Sequence, residues 1–345
     1  MLNESIEGNR LLASIIIVNY DGEPFIRRLF ESLSQQSLNK ARFDIIFFDN
    51  KSTDNSLTIL DAIKKKYTSL QIKIVRNKTN IGFVRGNNVA LQYAKGKYVV
   101  LLNNDTYVEF FWLEELVKAM ENDAKLGICQ SKEIVYKADG SASICLGIPF
   151  GIISARKERK TFNRPSDGLI EGYFYSSGAC LIIRRNIIVE LGYLFDERQF
   201  LGDLDLSWAA RLLGFRIATN PKSICHHFCG HASRLVYRKA SDGEYLNFHD
   251  TILTILKNYS LRILMKRFPS YLATSFYVAL FKFVFFQEQA FSGLLRALIW
   301  NLINLGDTLT ERSKMNKIRE VTDDEIESFM LPYPNELYYF KLSMA

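Results

Sequence analysis

Polar side chains stand at three points where an apolar stretch of the sequence ends. Asn19 and Asp49 each follow a run of apolar residues, and Asp105 closes the polar triplet Asn103-Asn104-Asp105 behind a third run. Polar groups at the end of a buried strand cost free energy unless a turn or a ligand supplies partners. One such strand end is explained by a turn. Three at one edge of a parallel sheet indicate a ligand site, because ligands bind beyond the carboxyl ends of such strands.

A second polar group, Asp203 and Asp205, opens a stretch with helical spacing that runs from residue 200 to residue 215. The positive end of a helix dipole favours carboxylates in the first helical turn. The two acids are therefore either a plain cap of this helix or acids that the helix holds at a site. The spacing of the residues is compatible with both interpretations.

His227 lies in the segment CHHFCGH, residues 225–231, which contains two cysteines and three histidines. Such a cluster is one way to bind zinc, and the candidate ligands include Cys229 and His231. However, neighbouring residues of a strand point to opposite faces, and the separated ligand pairs of zinc modules are absent. We therefore disfavour a structural zinc site in this segment.

Strands and helices alternate in the part of the chain that carries the polar strand ends. Runs rich in β-branched and aromatic residues predict strands at 14–18, 43–48, 72–75 and 98–102, and the stretches between them have helical spacing. This alternation is typical of βαβ units with a parallel sheet. The three polar strand ends then share one edge of the sheet, as a binding site requires.

Long apolar segments of helical character replace the strands after about residue 240. They cover 253–264, 271–286 and 291–305, and basic residues cluster before the middle one, at Lys257, Arg262, Lys266 and Arg267. A membrane span needs about 20 apolar residues, and Pro269 and Lys282 interrupt the stretch 268–286. We expect helices that lie on an anionic membrane surface. The alternative is a buried helical pair whose Lys282 reaches solvent.

The composition fits a protein with a large core and anionic partners. The chain has 345 residues, 48% of them hydrophobic, and a formal net charge of +7. This charge favours phosphates and membrane surfaces, but no basic block indicates nucleic acid, and a merely solvated surface is the alternative. Five irregularly spaced cysteines favour a reducing compartment, and the polar N-terminus does not resemble a signal peptide. We expect a cytoplasmic protein, peripheral on the inner face of the cell membrane.

Seven stretches of the sequence, in order, resemble the family 2 glycosyltransferases. They are SIIIVNYDGEPFI (14–26), FFDNKSTDNS (47–56), NKTNIGFVRGNNVAL (77–91), LLNNDTYV (101–108), SSGACLIIRR (176–185), FDERQFLGDLDLSWAARLLGF (195–215) and SICHHFCGHAS (223–233). The resemblance implies an inverting enzyme with the GT-A fold, a Rossmann-like mixed α/β sheet, over residues 11–238. A helical, membrane-associated region would cover residues 239–345. The sequence looks most like the rhamnosyltransferase-type branch, whose donor would be dTDP-L-rhamnose.

The resemblance also implies where a nucleotide diphosphate-sugar would bind. Asp49 would hydrogen-bond the nucleobase. Asp105, the one acid kept from an Asp-x-Asp pattern, and His227 would hold Mg²⁺ or Mn²⁺, which suit carboxylate and phosphate oxygens. The other donor-binding residues that the resemblance implies are Asn19, Tyr20, Asn80, Gly82, Arg85, Asn87 and Asn104.

The resemblance also implies that Asp203 is the catalytic base. An inverting transfer needs one carboxylate to accept the proton of the acceptor hydroxyl. The family pattern is Glu-Asp-x-Asp, and Gly202 stands here in place of the glutamate. Asp205 would support the helix start or the acceptor pocket, and Gly178 and Ala179 would form the floor where the two sugars meet. The expected acceptor is a glycan, lipid-linked, in polysaccharide or glycoconjugate synthesis.

Two other functions are compatible with parts of this pattern. A nucleotidyltransferase shares such a sheet but needs a glycine-rich, basic loop after the first strand, and NYDGEPF at 19–25 is not one. A catalytically silent glycan-binding or scaffold protein is favoured only by the loss of the glutamate at position 202. The acids Asp49, Asp105 and Asp203 argue against it.

Overall fold

The computed structural model describes residues 11–137, 139–150, 168–228, 240–286 and 289–331. Its strands are β1 (Ala13–Asn19), β2 (Phe43–Asp49), β3 (Ile72–Arg76), β4 (Tyr98–Leu102), β5 (Thr106–Val108), β6 (Leu126–Tyr136), β7 (Ala142–Cys145), β8 (Cys180–Arg184) and β9 (Arg216–His227). Its helices are α1 (Glu23–Ser34), α2 (Ser56–Lys66), α3 (Gly82–Leu91), α4 (Trp112–Asn122), α5 (Arg185–Leu191), α6 (Asp203–Leu212), α7 (Ala240–Asn258), α8 (Leu261–Phe286), α9 (Ala290–Ile303), α10 (Leu305–Ile318) and α11 (Asp323–Glu327).

The described strands form one sheet in the order β3-β2-β1-β4-β8-β6-β9-β5, with β7 paired to β6. The strands β1 to β4 are mutually parallel, as the βαβ pattern predicts. Strand β8 runs antiparallel to both β4 and β6, which makes the sheet mixed. The mixed α/β prediction is confirmed, and the polar ends of β1, β2 and β4 share one edge.

The core consists of apolar layers on both faces of the sheet, because the central strands are buried on each side. Leu29 and Leu33 of α1 and Leu60 of α2 pack on one face, as their helical spacing predicts. Val84 of α3 and Leu206 of α6 pack on the other face. The first three residues of the segment CHHFCGH, Cys225 to His227, are the end of the twelve-residue β9.

A third apolar layer joins the sheet domain to the C-terminal helices. Trp208 of α6 is fully buried against Tyr259, which follows α7, with the ring centroids 4.9 Å apart. Tyr271 of α8 and Leu294 of α9 belong to the same layer. The predicted helix over 253–264 is wrong in its bounds, since the chain turns at Tyr259 and Ser260. The backbone N–H of Ser260 there donates to Asp323 of α11.

Helix α8 differs from the sequence prediction in its continuity and its charges. Pro269 lies inside the helix and does not end it. By length and composition, Leu261–Phe285 is long and apolar enough to cross a membrane, with a mean hydropathy of 1.3 and 22% of its most apolar window buried. Of the four basic residues assigned to lipid headgroups, Lys257 and Arg267 are buried in ion pairs with Asp205 and Glu327. Only Arg262 and Lys266 are exposed.

Candidate active site

Asn19 links the polar ends of three neighbouring strands. Its side-chain amide donates to Oδ1 of Asp49 at 3.2 Å and to Oγ of Ser52 at 2.9 Å. Its Oδ1 accepts a hydrogen bond of 2.8 Å from the amide of Asn104. The three buried side chains are therefore held as one network, because the parallel register places Asn19 opposite Asp49.

The predicted nucleobase residue, Asp49, is also part of a turn. Oδ1 accepts from Asn19, and Oδ2 accepts from the backbone N–H of Ser52. A carboxylate has about four acceptor sites, so these two bonds leave capacity for a ligand. Tyr20 follows at the strand end, half-buried. The turn interpretation and the nucleobase prediction for Asp49 are thus compatible.

The loop into α3 is organised by Asn50, which the sequence analysis did not single out. Its amide donates to Oδ1 of Asn80, and its own Oδ1 accepts from the N–H of Ile81. Gly82 has a φ of +83°, which glycine adopts without strain. Asn50 therefore joins the end of β2 to the helix start that the resemblance assigns to the donor.

Two other predicted donor contacts have partners within the protein. Arg85 is exposed and lies 3.6 Å from a carboxylate oxygen of Glu197. Asn87 is buried, and its amide donates to the backbone carbonyl of Phe83 one turn earlier in α3. The geometry gives Asn87 no direct support as a donor contact, and its predicted role stays a prediction.

A row of three ionisable side chains crosses the ends of β4, β9 and β6. Nε2 of His227 lies 3.3 Å from Oδ1 of Asp105, and Nδ1 of the same ring lies 3.5 Å from Oε2 of Glu133. Burial lowers the pKa of His227, but the hydrogen-bonding and charge of the two carboxylates outweigh it and raise this pKa to about 10. Oε1 of Glu133 is buried without a hydrogen-bond partner among the described residues, whereas the buried Oδ1 of Asp105 faces Nε2 of His227.

Asp203 is the first residue of α6, and its carboxylate faces the loop before β8. Oδ2 accepts from the backbone N–H of Gly178 at 2.9 Å, while Oδ1 is buried without a partner in the described chain. Burial, with smaller contributions from the charges of Glu133 and Asp250, raises the pKa of Asp203 to about 7, although the Gly178 hydrogen bond opposes this. A Cβ atom at position 178 would lie 2.3 Å from Oδ1, so a larger residue there would displace the carboxylate of Asp203.

Gly202 is required by the backbone at the start of α6. Its φ is +78°, and a Cβ atom there would lie 2.5 Å from the ring of Phe195. A glutamate at this position would meet both the conformational strain and the ring. The local packing and backbone conformation thus favour glycine where the Glu-Asp-x-Asp pattern has glutamate.

Asp205 faces the C-terminal helices and not the site that contains Asp203. Its carboxylate accepts from Nζ of Lys257 at 2.5 Å and from the amide of Asn258 at 2.8 Å, and its side chain is 2% exposed. Lys257 also donates to Asp196 and to the hydroxyl of Tyr193. Of the two predicted roles, support of the helix start agrees with these contacts. A place in the acceptor pocket has no support in these contacts, because the carboxylate is 2% exposed and faces Lys257 and Asn258, and it stays a prediction.

The loop from Ser177 to Ala179 lies between the two groups of acids. The N–H of Asn103, two residues before Asp105, donates to the carbonyl of Ala179. Gly178 meanwhile holds Asp203. The structure therefore brings both the end of β4 and the start of α6 into contact with this loop, and the floor role of Gly178 and Ala179 stays a prediction.

Glu133 is a residue of this site that the sequence analysis missed. It lies in β6 and is 1% exposed. The available signal was an acid within the strand-like run 126–136, where a buried position would ordinarily be apolar. The irregular, glycine- and serine-rich stretch after it concealed the strand.

His226 and His227 point to opposite faces of β9, as strand geometry predicts. The ring of His226 stacks on Tyr107 with the centroids 4.2 Å apart, and its nitrogens contact Tyr136 and Glu109. Cys229 and His231, the other candidate zinc ligands, lie outside the described residues. Within the described ranges, no three His, Cys, Asp or Glu side chains form a metal-holding group.

Asp105 and His227 nevertheless suit a divalent cation that shares its coordination with a diphosphate. A buried carboxylate oxygen and an imidazole nitrogen lie next to each other, 3.3 Å apart, as two ligands of one cation would. Hard cations favour such oxygen donors, together with phosphate oxygens. Two protein ligands require that the diphosphate provide several of the others.

The mixed sheet and its polar edge define a nucleotide-diphospho-sugar transferase fold, GT-A. The family described as Glycosyl transferase family 2 matches residues 14–192, more than half of the chain. The chain therefore belongs to glycosyl transferase family 2.

Solved structures of low sequence identity show the same fold. Staphylococcus aureus TarS 1–349 in complex with UDP-GlcNAc has a TM-score of 0.58 at 20% identity, over 90% of this chain and 84% of that chain. A mannosyltransferase from Pyrobaculum calidifontis, in complex with GDP-Man and Mn²⁺, has a TM-score of 0.53 at 14% identity, over 90% and 86% of the two chains.

Curated relatives match shorter parts of the chain. The poly(ribitol-phosphate) beta-glucosyltransferase of Bacillus spizizenii is 38% identical over 95 residues, which are 28% of this chain and 15% of that protein. A dolichyl N-acetyl-alpha-D-glucosaminyl phosphate 3-beta-D-2,3-diacetamido-2,3-dideoxy-beta-D-glucuronosyltransferase of Methanococcus voltae is 25% identical over 223 residues, 62% of this chain and 66% of that protein. The match thus spans less than a sixth of the first relative.

Proposed function

We propose that the chain is an inverting glycosyltransferase that moves a sugar from a nucleotide diphosphate-sugar to a glycan hydroxyl. The observation that carries the proposal is a pair of buried carboxylate oxygens that accept no hydrogen bond from the described residues, although that of Asp105 lies 3.3 Å from Nε2 of His227. They belong to Asp105 and Asp203, on the two sides of the loop 177–179. Such oxygens cost stability in the free protein, and a bound substrate repays this cost by giving them partners.

Asp203 is the group that takes the proton in this proposal. The acceptor oxygen bonds to the anomeric carbon, its proton passes to Asp203, and the electrons of the broken bond leave with the diphosphate oxygen. A base works best when its pKa is near the working pH, and burial brings the pKa of Asp203 to about 7. The N–H of Gly178 orients the carboxylate through Oδ2 and leaves Oδ1 for the acceptor.

Asp105 and His227 are the proposed holders of Mg²⁺ or Mn²⁺ at the other side of the loop. When bound, the cation neutralises the charge that develops on the leaving diphosphate. The Mn²⁺ in the solved mannosyltransferase of the same fold supports this part of the proposal. The network of Asn19, Asp49 and Asn104 lies at the adjoining strand ends, where we place the nucleoside.

We propose the donor only as a class of molecule, a nucleotide diphosphate-sugar. The sequence resemblance favours dTDP-L-rhamnose, whereas UDP-GlcNAc is bound in the solved TarS structure and glucose occurs in the name of one relative. A donor panel decides between these sugars. The acceptor is proposed to be a lipid-linked glycan, which the dolichyl phosphate acceptor in the name of the Methanococcus relative supports.

The C-terminal helices supply the membrane part of the proposal. One stripe of α8 is exposed at heptad spacing, and it begins with Arg262 and Lys266 and continues with Tyr277, Leu280 and Val284. The exposed apolar residues of the neighbouring α9 are Leu295, Ile299, Leu302 and Ile303. A face with basic residues at one end and apolar residues along the rest suits the headgroups and acyl boundary of an anionic bilayer. We accordingly place the protein on the cytoplasmic face of the cell membrane.

The decisive experiment measures transfer with a panel of UDP-, dTDP- and GDP-sugars, a lipid-linked glycan acceptor and Mn²⁺. We expect one donor to give a glycosylated product, detected by mass spectrometry, with release of the nucleoside diphosphate. Asp105→Asn should abolish both the product and nucleotide-dependent Mn²⁺ binding while the fold is retained. Formation of an NDP-sugar and pyrophosphate from a nucleoside triphosphate and a sugar 1-phosphate, in a parallel incubation, would instead indicate a nucleotidyltransferase. Glycan binding without turnover of any donor would indicate a non-catalytic protein, and full activity in EDTA would refute the role of the metal.

A further inference from the structure

Glu133 is a buried acid that the proposed chemistry leaves without a role. Its side chain is almost fully enclosed in the sheet, Oε2 lies 3.5 Å from Nδ1 of His227, and Oε1 has no hydrogen-bond partner among the described residues. An apolar side chain at this position of β6 would avoid burying a carboxylate. Because burying a carboxylate is unfavourable, we expect Glu133 to have a specific role, and its contact with His227 indicates where that role lies.

The pairing of β6 with β9 explains why Glu133 meets His227 and not His226. Glu133 lies opposite Cys225 in the parallel register, and His227 follows Cys225 by two residues. Side chains two residues apart in a strand share a face. His226 lies on the other face, where its Nε2 is 3.2 Å from Glu109. Each histidine thus has its own glutamate, one buried and one exposed.

We propose that Glu133 is a positioning residue that fixes the ring orientation and tautomer of His227. A neutral imidazole has one N–H donor and one acceptor nitrogen, and the partner of one nitrogen decides the state of the other. With a cation bound, the Nδ1–H would be directed to Glu133 and the lone pair of Nε2 would be presented to the cation beside Asp105. This inference rests on the proposed function, in which Asp105 and Nε2 of His227 hold the cation.

Glu133 acts through the histidine and is not itself a ligand in this arrangement. Its carboxylate faces the Nδ1 edge of the ring, whereas Asp105 faces the Nε2 edge. A carboxylate behind a ligating histidine orients the ring and increases its basicity, and losing it costs about 10–100-fold in metal affinity. The same geometry predicts that an amide oxygen at position 133 serves nearly as well, because it also accepts the Nδ1–H bond.

The test compares Mn²⁺ affinity, measured by electron paramagnetic resonance, in the wild type, Glu133→Ala, Glu133→Gln and Glu109→Ala. The full chain is titrated in the presence of UDP and, separately, of dTDP. We expect Glu133→Ala to weaken Mn²⁺ binding by about 10–100-fold and Glu133→Gln to retain most of the affinity. Glu109→Ala is the matched control, because it removes the partner of the neighbouring histidine on the other face of the same strand.

A second measurement reads the tautomer directly. Long-range ¹H–¹⁵N spectra with Mg²⁺, in which His227→Gln identifies the resonance, should show the Nδ1–H form in the wild type and in Glu133→Gln. Glu133→Ala should lose the preference for this form, while its unfolding temperature and metal-free nucleotide binding show that it still folds.

The outcomes separate this inference from the proposed function. A wild type that binds no Mn²⁺ with either nucleotide contradicts the metal part of the proposed function. A wild type that binds Mn²⁺ and a Glu133→Ala variant that binds it equally well, with an unchanged tautomer, would overturn the role of Glu133 alone. An effect of Glu109→Ala as large as that of Glu133→Ala would also overturn it, because the loss would then be a general response of the strand.

Discussion

Replacing Asp203 with asparagine should make the protein more stable at alkaline pH while removing its activity. The pKa of the carboxyl group is raised from 3.8 to about 7 by burial, so ionising it in the folded protein costs free energy. Asparagine keeps the shape and can still accept the hydrogen bond from Gly178, but it carries no charge and takes no proton. The higher stability and the lost activity therefore both follow from removing the ionisable group.

The magnitude follows from linkage between protonation and folding. The unfolded chain releases this proton near pH 4, whereas the folded chain holds it to about pH 7, so wild-type stability falls as the pH rises between these values. Three pKa units correspond to about 4 kcal/mol, and partial solvent access reduces this to about 2–4 kcal/mol. For a chain of this size, the variant should melt about 3–6 °C above the wild type at pH 8. At pH 4 the two should melt together.

The matching activity assay measures turnover at saturating acceptor and donor affinity separately. Removal of a positioned base costs about 10²–10⁴-fold in rate, while nucleotide affinity should stay unchanged, because Asn19 and Asp49 lie at other strand ends. Wild-type turnover should rise with pH and level off above about 7. Equal turnover of variant and wild type would move the base to another residue. A melting temperature of the variant below that of the wild type at pH 8 would refute the burial argument.

Three further changes test other parts of the structure. Lys257→Met leaves the buried Asp205 without its cation and should lower the free energy of unfolding by about 3–5 kcal/mol, measured by urea titration. Gly202→Ala meets a left-handed backbone and the ring of Phe195, so it should cost more than the ~1–2 kcal/mol of the backbone strain alone. The double variant Arg262→Ala/Lys266→Ala should lose about 2 kcal/mol of binding to phosphatidylserine vesicles, measured by flotation.

Each of these changes has a matched control within the chain. Lys314→Met breaks an exposed ion pair with Glu311 and should change stability by less than about 0.5 kcal/mol. Gly168→Ala has almost the same φ as Gly202 but open space around it, so it reports the backbone strain alone. Lys64→Ala/Lys65→Ala removes two exposed charges from α2 and should leave vesicle binding unchanged. A control that behaves like its partner variant contradicts the corresponding explanation, and vesicle binding that only detergent reverses would indicate a spanning α8.

The strand ends could be placed from the sequence because each depends on a local signal. Asn19, Asp49 and Asp105 each follow an apolar run, and the parallel order brings such ends to one edge. The start of α6 was equally visible, since Asp203 precedes a helical apolar pattern. These features need only periodicity and neighbouring residues, and the structure confirms the resulting sheet edge.

The contacts that sequence reasoning missed join residues that are far apart in the chain. Glu133 reaches His227 only through the pairing of β6 with β9, and nothing in the local sequence of either strand gives this register. Lys257 was assigned to the membrane because it stands among other basic residues. The structure buries it between Asp196 and Asp205, and no local pattern distinguishes a lysine with a distant acid partner from an exposed one.

The ion pair between Asp205 and Lys257 also sets an order in which the chain can mature during synthesis. Helix α6 carries the proposed base, but the cation that neutralises its buried acid comes 52 residues later. Until Lys257 emerges from the ribosome, docking α6 would bury the carboxylate of Asp205 without a positive partner, whereas Asp196 already has Arg198 beside it. At about 5–20 residues per second, this interval lasts about 3–10 s. We therefore expect α6, and with it Asp203, to reach its final position only after Lys257 has been made.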